Sequence, residues 1–167
     1  MINLIVAIDQ NNAIGYKNNL LYKLKGDMKH FKELTLNHKV IMGKNTFLSL
    51  PKCGLPNRQN IVLTSKADEM MDIICKEGSL IYADNIKELI NEYKDSNEEV
   101  FVIGGEKIYS QFLNYANKIY LTYIEKSSPN ADCWFFYDCD EWEEDSDSIK
   151  YHTEDGIDYY FIELNRI

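Results

Sequence analysis

No run of apolar residues in this chain approaches the ~20 that a helix needs to cross a bilayer, so no membrane role is expected. The four cysteines (Cys53, Cys75, Cys133, Cys139) include no CxxC pair, and the three histidines (His30, His38, His152) do not gather around them. That pattern offers neither a zinc site nor a disulfide framework; reduced thiols in a cytoplasm are the reading it leaves, and no metal is expected. MINLIVAIDQ has no basic region ahead of its apolar run and no small-residue cleavage site, so it reads as a first strand and not as a signal peptide. Positive charge is short as well. The net charge of −9 argues against nucleic acid as a general partner. An anionic small ligand would have to be held by local cations or backbone amides against an unfavourable overall field. Arginine is the scarcest cation, present only at Arg58 and Arg166. An internal arginine in so lysine-rich a chain marks a place where a fork-shaped donor is wanted. Linkers, internal repeats and low-complexity segments are absent, as are the dinucleotide fingerprint GxGxxG and the P-loop GxxxxGK[ST].

What is present has ordinary globular proportions, 45% hydrophobic and 27% charged. At 167 residues the chain is expected to form a single domain over 1–167, burying about two thirds of its unfolded surface. The run INLIVAI (2–8) has strand length and suits a sheet buried on both faces. A polar loop over 9–23 comes next, then a helix over 24–34, strands at 38–42 and 60–65 around a short helix at 45–50, and a loop over 66–78. A strand at 80–82 precedes a helix over 84–93. Strands at 99–103 and 118–125 flank another helix, 129–140 is irregular, and the tail forms an antiparallel hairpin about Glu-Asp-Gly. This order predicts an α/β fold, a three-layer sandwich whose central, mostly parallel sheet ends in an antiparallel carboxy-terminal edge.

Two features carry chemistry. On the 24–34 helix, Leu24, Met28, Phe31 and Leu34 recur on one face, and Asp27 lies among them. A charged carboxylate inside an apolar stripe costs several kcal/mol unless it has a partner or a shifted pKa. The plainer reading is an acid in the first turn complementing the helix dipole. The second feature is a set of three strand ends suited to phosphates: Gly43-Lys44-Asn45-Thr46, Leu63-Thr64-Ser65-Lys66 and Gly104-Gly105-Glu106-Lys107. In open parallel sheets, ligands bind beyond the carboxyl ends of strands. Each segment alone also reads as an ordinary turn. Together they suggest an elongated polyanion, and lysine and hydroxyls in place of a ribose-binding acid favour NADP over NAD, with Asp68 and Glu69 nearby as a counterweight.

With these residues in place the chain resembles the dihydrofolate reductase family over nearly its whole length. The matching segments, in order, are VAIDQNNAIG (6–15), Asp27 with Phe31 and Thr35, VIMGKNTF (40–47), LPNRQNIVLT (55–64), VIGGEKIY (102–109), IYLTYI (119–124) and ADCWF (131–135). The resemblance implies NADPH-dependent reduction of 7,8-dihydrofolate to tetrahydrofolate, an oxidoreductase step on a CH–NH bond that serves one-carbon metabolism. It implies antifolate inhibitors as further ligands, and a cytoplasmic monomer is expected. Asp27 would bond the 2-amino group and N3 of the pterin and, with Tyr22, act on the proton destined for N5 through water. Ile5, Ala7, Met28, Phe31, Leu50, Leu55 and Ile103 would line the pterin and aminobenzoyl pocket, most of them also serving as core. Arg58, with Lys32 as a weaker neighbour, would take the substrate α-carboxylate, and Thr122 would bond Asp27. For NADPH, Ala7, Ile14, Gly15 and Leu20 would face the nicotinamide. Gly43, Lys44, Asn45, Thr46, Leu63, Thr64, Ser65 and Lys66 would bind the phosphates and adenosine end, with Gly104, Gly105 (joined by the family's cis bond), Glu106, Lys107, Ile108 and Tyr109 beside them. Asp132 would help to hold the 9–23 loop.

Three positions depart from the family pattern. Leu21-Tyr22 stands for the usual Pro-Trp, which alters the water held near the pterin. Gly54 replaces a proline and is expected to loosen the turn that presents Arg58. Glu106 places a negative charge near a pyrophosphate. A related pyrimidine reductase, or a pterin-binding module without catalysis, would share much of this pattern. The first would not need Asp27 and Arg58 together, and the second would bind antifolates without consuming NADPH.

Overall fold

Eight strands form the central sheet of the computed structural model, which describes residues 1–70 and 78–167. Strand β1 (Ile2–Asp9) lies near its middle, and the apolar run that suggested burial on both faces is buried nearly throughout. Along the chain come the short strands β2 (Ala13–Tyr16) and β3 (Asn19–Leu20), helix α1 (Lys25–Thr35), β4 (Lys39–Gly43), α2 (Lys44–Ser49) and β5 (Gln59–Leu63). A 3-10 turn (Ala67–Met70), β6 (Ser79–Ala83), α3 (Ile86–Tyr93), β7 (Val100–Val102), α4 (Glu106–Phe112), β8 (Lys118–Ile124), β9 (Cys133–Trp134), β10 (Trp142–Glu154) and β11 (Ile157–Arg166) complete it. The sequence-based loop over 66–78 is thus a 3-10 turn at Ala67–Met70, and 71–77, with Cys75, lie outside the described residues.

The strand order is β10-β11-β8-β1-β7-β4-β5-β6. From β8 to β6 every pairing is parallel, and β11 and β10 add the antiparallel edge. Alternation along β1 divides the interior. Leu4, Val6 and Ile8 join Leu89, Ile90 and Phe112 of α3 and α4 in one core, while Ile5 joins Phe47 of α2 and Phe31 and Leu34 of α1 in another. Side chains on one strand alternate between faces, so one apolar strand serves both layers. These are the three layers expected. Among the described residues, no helix is long and apolar enough to cross a membrane.

Two expectations need correction. The 9–23 segment is not an irregular loop: Gly15 pairs with Leu20 and Tyr16 with Asn19, and β9, from the stretch read as irregular, completes a small three-stranded sheet. The strands are too short and polar to show in periodicity, and their partner lies more than a hundred residues away. The apolar face of α1 is also less buried than its pattern suggested. Leu24 is 2% exposed but Met28 is 57% exposed, because one side of this helix borders open space.

Candidate active site

Helix α1 begins without a cap of its own, since Leu24 offers no side-chain acceptor. Its first amides donate instead to Glu154 at the end of β10: Lys25 N–H to Oε2 at 2.6 Å and Gly26 N–H to Oε1 at 2.9 Å. Asp27 comes next. The Thr122 hydroxyl, buried on β8 beside Ala7 of β1, donates to Asp27 Oδ1 at 2.6 Å. Burial pushes the Asp27 pKa up, the Thr122 hydrogen bond opposes that, and the charge of Glu154 adds to the rise. The partner that the lone helical pattern demanded is therefore in part a threonine 95 residues away.

Arg58 precedes β5 and is only 5% exposed. Its Nε donates to Thr35 Oγ1 at 3.1 Å and its Nη1 to the Pro56 carbonyl at 2.7 Å. Thr35 in turn donates to the Phe31 carbonyl at 2.8 Å, tying the guanidinium to the last turn of α1. Burial moves the Arg58 pKa downward, and a guanidinium stays charged under such a shift. Gly54 does not loosen this turn. It adopts φ of 120°, closed to proline. The Asn60 amide clamps the adjoining residue, accepting from Leu55 N–H at 2.8 Å and donating to the Leu55 carbonyl at 3.0 Å.

Between these two polar groups lies an apolar wall. Ile5, Phe31, Leu50, Leu55 and Ile103 pack in one cluster, while Ala7 and Tyr22 join Leu24 and Tyr159 in a neighbouring one. Lys32 is exposed on the outer side of α1 with Lys25, Lys29 and Glu33.

The three glycine-, hydroxyl- and lysine-bearing strand ends are brought side by side because β4 lies between β7 and β5. Gly43 N–H donates to the Gly104 carbonyl at 2.9 Å, and the Gly104-Gly105 peptide is cis. A Cβ on Gly105 would meet only the Thr46 hydroxyl, at 3.5 Å, whereas one on Gly104, whose φ is 112°, would meet the Tyr109 ring at 3.0 Å. Tyr109 itself is buried behind this surface and donates to the Ile5 carbonyl at 2.7 Å. Ile14, Leu63 and Ile108 line the edge of the core below it. Asn45, Ser65, Lys66, Glu106 and Lys107 are exposed, and neither α2 nor α4 has a side-chain cap. Glu69 bridges Lys44 (3.4 Å) and Lys66 (3.8 Å), so the acid suspected near these lysines does touch them. Thr64 Oγ1 accepts from Lys66 N–H at 3.0 Å.

The β2–β3 hairpin is fastened at both ends. Asp132 Oδ2 accepts from Lys17 N–H at 2.9 Å, and Asn18 Nδ2 donates to the Asn45 carbonyl at 2.7 Å, bridging to α2. At its base Asp9, fully buried, accepts from the amides of Asn11, Ala13 and Ser128 at 2.9 to 3.0 Å. The Tyr22 hydroxyl is buried near the Asp9 carboxylate, without a well-formed hydrogen bond among the described residues. Burial and then the nearby Asp9 carboxylate push its pKa up. Leu20 is 55% exposed.

Sequence reasoning missed Asp9, Asn60 and Glu154. The available signals were slight: an acid closing an apolar run, an amide inside a strand, and a glutamate before Asp-Gly. A pocket of about 390 Å³ at the amino ends of β4 and β5 shares only Arg58 with the groups above.

A family model described as dihydrofolate reductase matches residues 1–166. The chain is 44% identical over 124 residues to a dihydrofolate reductase of Buchnera aphidicola subsp. Acyrthosiphon pisum (strain APS), covering 74% of this chain and 72% of that one. To that of Bacillus subtilis (strain 168) it is 38% identical over 124 residues, 74% and 69% of the two chains. Among solved structures, dihydrofolate reductase from Enterococcus faecalis, complexed with NADP(H) and RAB-propyl, shares the fold with a TM-score of 0.82 at 22% identity, over 99% of this chain and 96% of that one. The expectation raised by the ordered motifs is met, and the chain belongs to the dihydrofolate reductase family.

Proposed function

We propose that this protein reduces 7,8-dihydrofolate to 5,6,7,8-tetrahydrofolate with NADPH, as a monomer in the cytoplasm, with residues 1–167 acting as one domain. The observation that supports the residue assignments is the pairing of a half-buried carboxylate and a buried guanidinium at opposite ends of α1. Asp27 stands at its start, and Arg58 is bonded to Thr35 at its end. Eight residue steps along the helix separate these points, about 12 Å along the axis, a spacing suited to a pterin at one end and a glutamate α-carboxylate at the other.

In this reading the Asp27 carboxylate holds the pterin 2-amino group and N3, and its raised proton affinity keeps a proton available closer to neutral pH. The Tyr22 hydroxyl, buried without a well-formed hydrogen bond among the described residues, orients the water that carries a proton to N5. Ile5, Phe31, Leu50, Leu55 and Ile103 enclose the aminobenzoyl ring, and the exposed Met28 and Leu20 are covered by ligand. Arg58 takes the α-carboxylate through donors that neither Thr35 nor Pro56 occupies. NADPH, when bound, supplies the hydride. Open backbone at Gly105, the hydroxyls of Thr46 and Ser65 and the cations Lys44 and Lys66 form a donor set that fits a phosphate-bearing dinucleotide.

Following NADPH absorbance in the presence of dihydrofolate tests the assignment. Rapid oxidation that an antifolate abolishes is the expected result. No oxidation above background, or turnover only with a ribosylaminopyrimidine, would overturn it.

A further inference from the structure

We propose that Glu154, at the tip of the carboxy-terminal hairpin, is a positioning residue for Asp27, capping helix α1 from outside and keeping a fixed negative charge behind the site acid. The inference rests on the reading of Asp27 as the pterin carboxylate.

Asp155 (φ 51°) and Gly156 (φ 75°) form the two-residue turn between β10 and β11, the left-handed pair that hairpins of this length require. That turn puts Glu154 opposite Ile157, two residues along from the His152–Tyr159 pair, on the face that packs against α1. His30 of α1 stacks on Phe161 of the same face with ring centroids 3.9 Å apart. Glu154 then reaches the amides of Lys25 and Gly26, the two residues immediately before Asp27. Glycine at residue 26 lets the hairpin come this close, since a Cβ there would lie 2.1 Å from the Tyr159 hydroxyl oxygen and would have to displace that side chain.

The chemistry arises from the same contacts. Free amides in the first turn of a helix carry partial positive charge and would stabilise the Asp27 anion. Glu154 takes two of them and adds a full negative charge, so both effects favour the protonated form of Asp27. The hydrogen bonds from Gly26 and Lys25 lower the pKa of Glu154 itself, favouring its anion beside Asp27. Around Asp27, Thr122 of β8 favours the anion, Tyr109 of α4 and Tyr159 of β11 are neutral with raised pKa values, and Glu154 of β10 is the charged neighbour. Around Glu154 stand the Lys25 ammonium and the Tyr159 hydroxyl. The same contacts thus push the two carboxylates in opposite directions, Asp27 toward holding a proton and Glu154 toward fixed charge.

The test is a carbon-13 titration of aspartate carboxyls in the ligand-free protein, with Asp27→Asn identifying the Asp27 resonance, run beside the pH profile of turnover. In Glu154→Gln, nearly isosteric but uncharged, the Asp27 midpoint is expected to fall by about half a unit or more, and the alkaline limb of the rate profile to move with it. A lowered melting temperature with an unmoved midpoint would reduce Glu154 to a structural cap and overturn the proposal. Wild-type protein decides the matter if the variant does not fold. Glu154 should titrate below the ordinary 4.5 and shift the Lys25 and Gly26 amide resonances as it does so; titration at 4.5 without that response overturns the proposal equally. Unchanged turnover in Asp27→Asn would instead overturn the catalytic reading of Asp27, on which this inference stands.

Discussion

The two halves of the cleft are built on opposite plans. On the proposed substrate side, Thr122, Thr35 and Arg58 are buried, Asp27 is half-buried, and all four are already hydrogen-bonded to one another or to backbone. On the proposed cofactor side, Lys66, Ser65 and Asn45 stand exposed at strand ends, and the cations Lys44 and Lys66 share the exposed side chain of Glu69. A buried charge held in the wrong place is expensive, so the fold must fix it before the ligand arrives. An exposed lysine costs little wherever it points and contributes little until a phosphate meets it. Under the proposed assignment, specificity for the pterin would be a property of the folded core, whereas cofactor affinity would be spread over the surface.

The division is tested most severely at Asp27. Asp27→Asn is expected to lower turnover with dihydrofolate at neutral pH by about 10²-fold or more, the range of a positioned proton-transfer group, while NADPH binding stays nearly intact. An equal loss of NADPH affinity would show that the two halves are not separable. The same variant should reveal what the buried acid costs the fold. The Asp27 pKa is raised above its ordinary 3.8, so the native state holds its proton to higher pH than the unfolded chain. Stability is thus lost as pH rises from about 3.8 through the folded value. The melting temperature of Asp27→Asn should match wild type in acid and exceed it increasingly across that window, and parallel curves would contradict the shift.

Arg58→Leu comes next in size. Loss of a charge-assisted fork should weaken folate binding by about 2–3 kcal/mol and leave a pterin without the glutamate tail almost unaffected. Comparable losses for both ligands would mean that Arg58 serves the fold and not the α-carboxylate. The smallest effects belong to the cofactor side. Lys66→Ala is expected to weaken NADPH binding by less than about 1.5 kcal/mol, the scale of exposed charge pairs, with NADH unchanged. Glu69→Gln, which frees both lysines, should tighten NADPH binding several-fold. If it weakened binding instead, Glu69 would be organising the lysines for the cofactor, and the surface half would be as preorganised as the buried one.

Legibility in the sequence divides along similar lines. The apolar run of β1, the stripe on α1, the Asp-Gly turn of the last hairpin and the hydroxyl-, glycine- and lysine-bearing strand ends all showed, because each is written in consecutive residues. The ordered motifs then pointed to Asp27, Arg58 and the two adjoining glycines as candidate site residues. The small β2–β3–β9 sheet did not show, since four- and two-residue strands have no usable period and their pairing is closed by distant chain. Asn60 and Asp9 were also missed. Their roles consist of bonds to the backbone of a turn, which no side-chain pattern records. Gly54 misled for a related reason: its φ of 120° makes it a required residue of a clamped turn and not a loosened proline.

Local pattern was enough to set the layer order, the parallel sheet with its antiparallel edge and the residue types at the site, because hydrophobic periodicity and turn chemistry act over a few neighbouring positions. How the site acid is held was settled only by the folded arrangement of distant elements. Desolvation is a property of enclosure, and the groups that act on Asp27, Thr122 and Glu154, lie 95 and 127 residues away along the chain. An acid that its helix alone would assign to the dipole becomes a carboxylate of raised proton affinity because β8 and the final hairpin close around it.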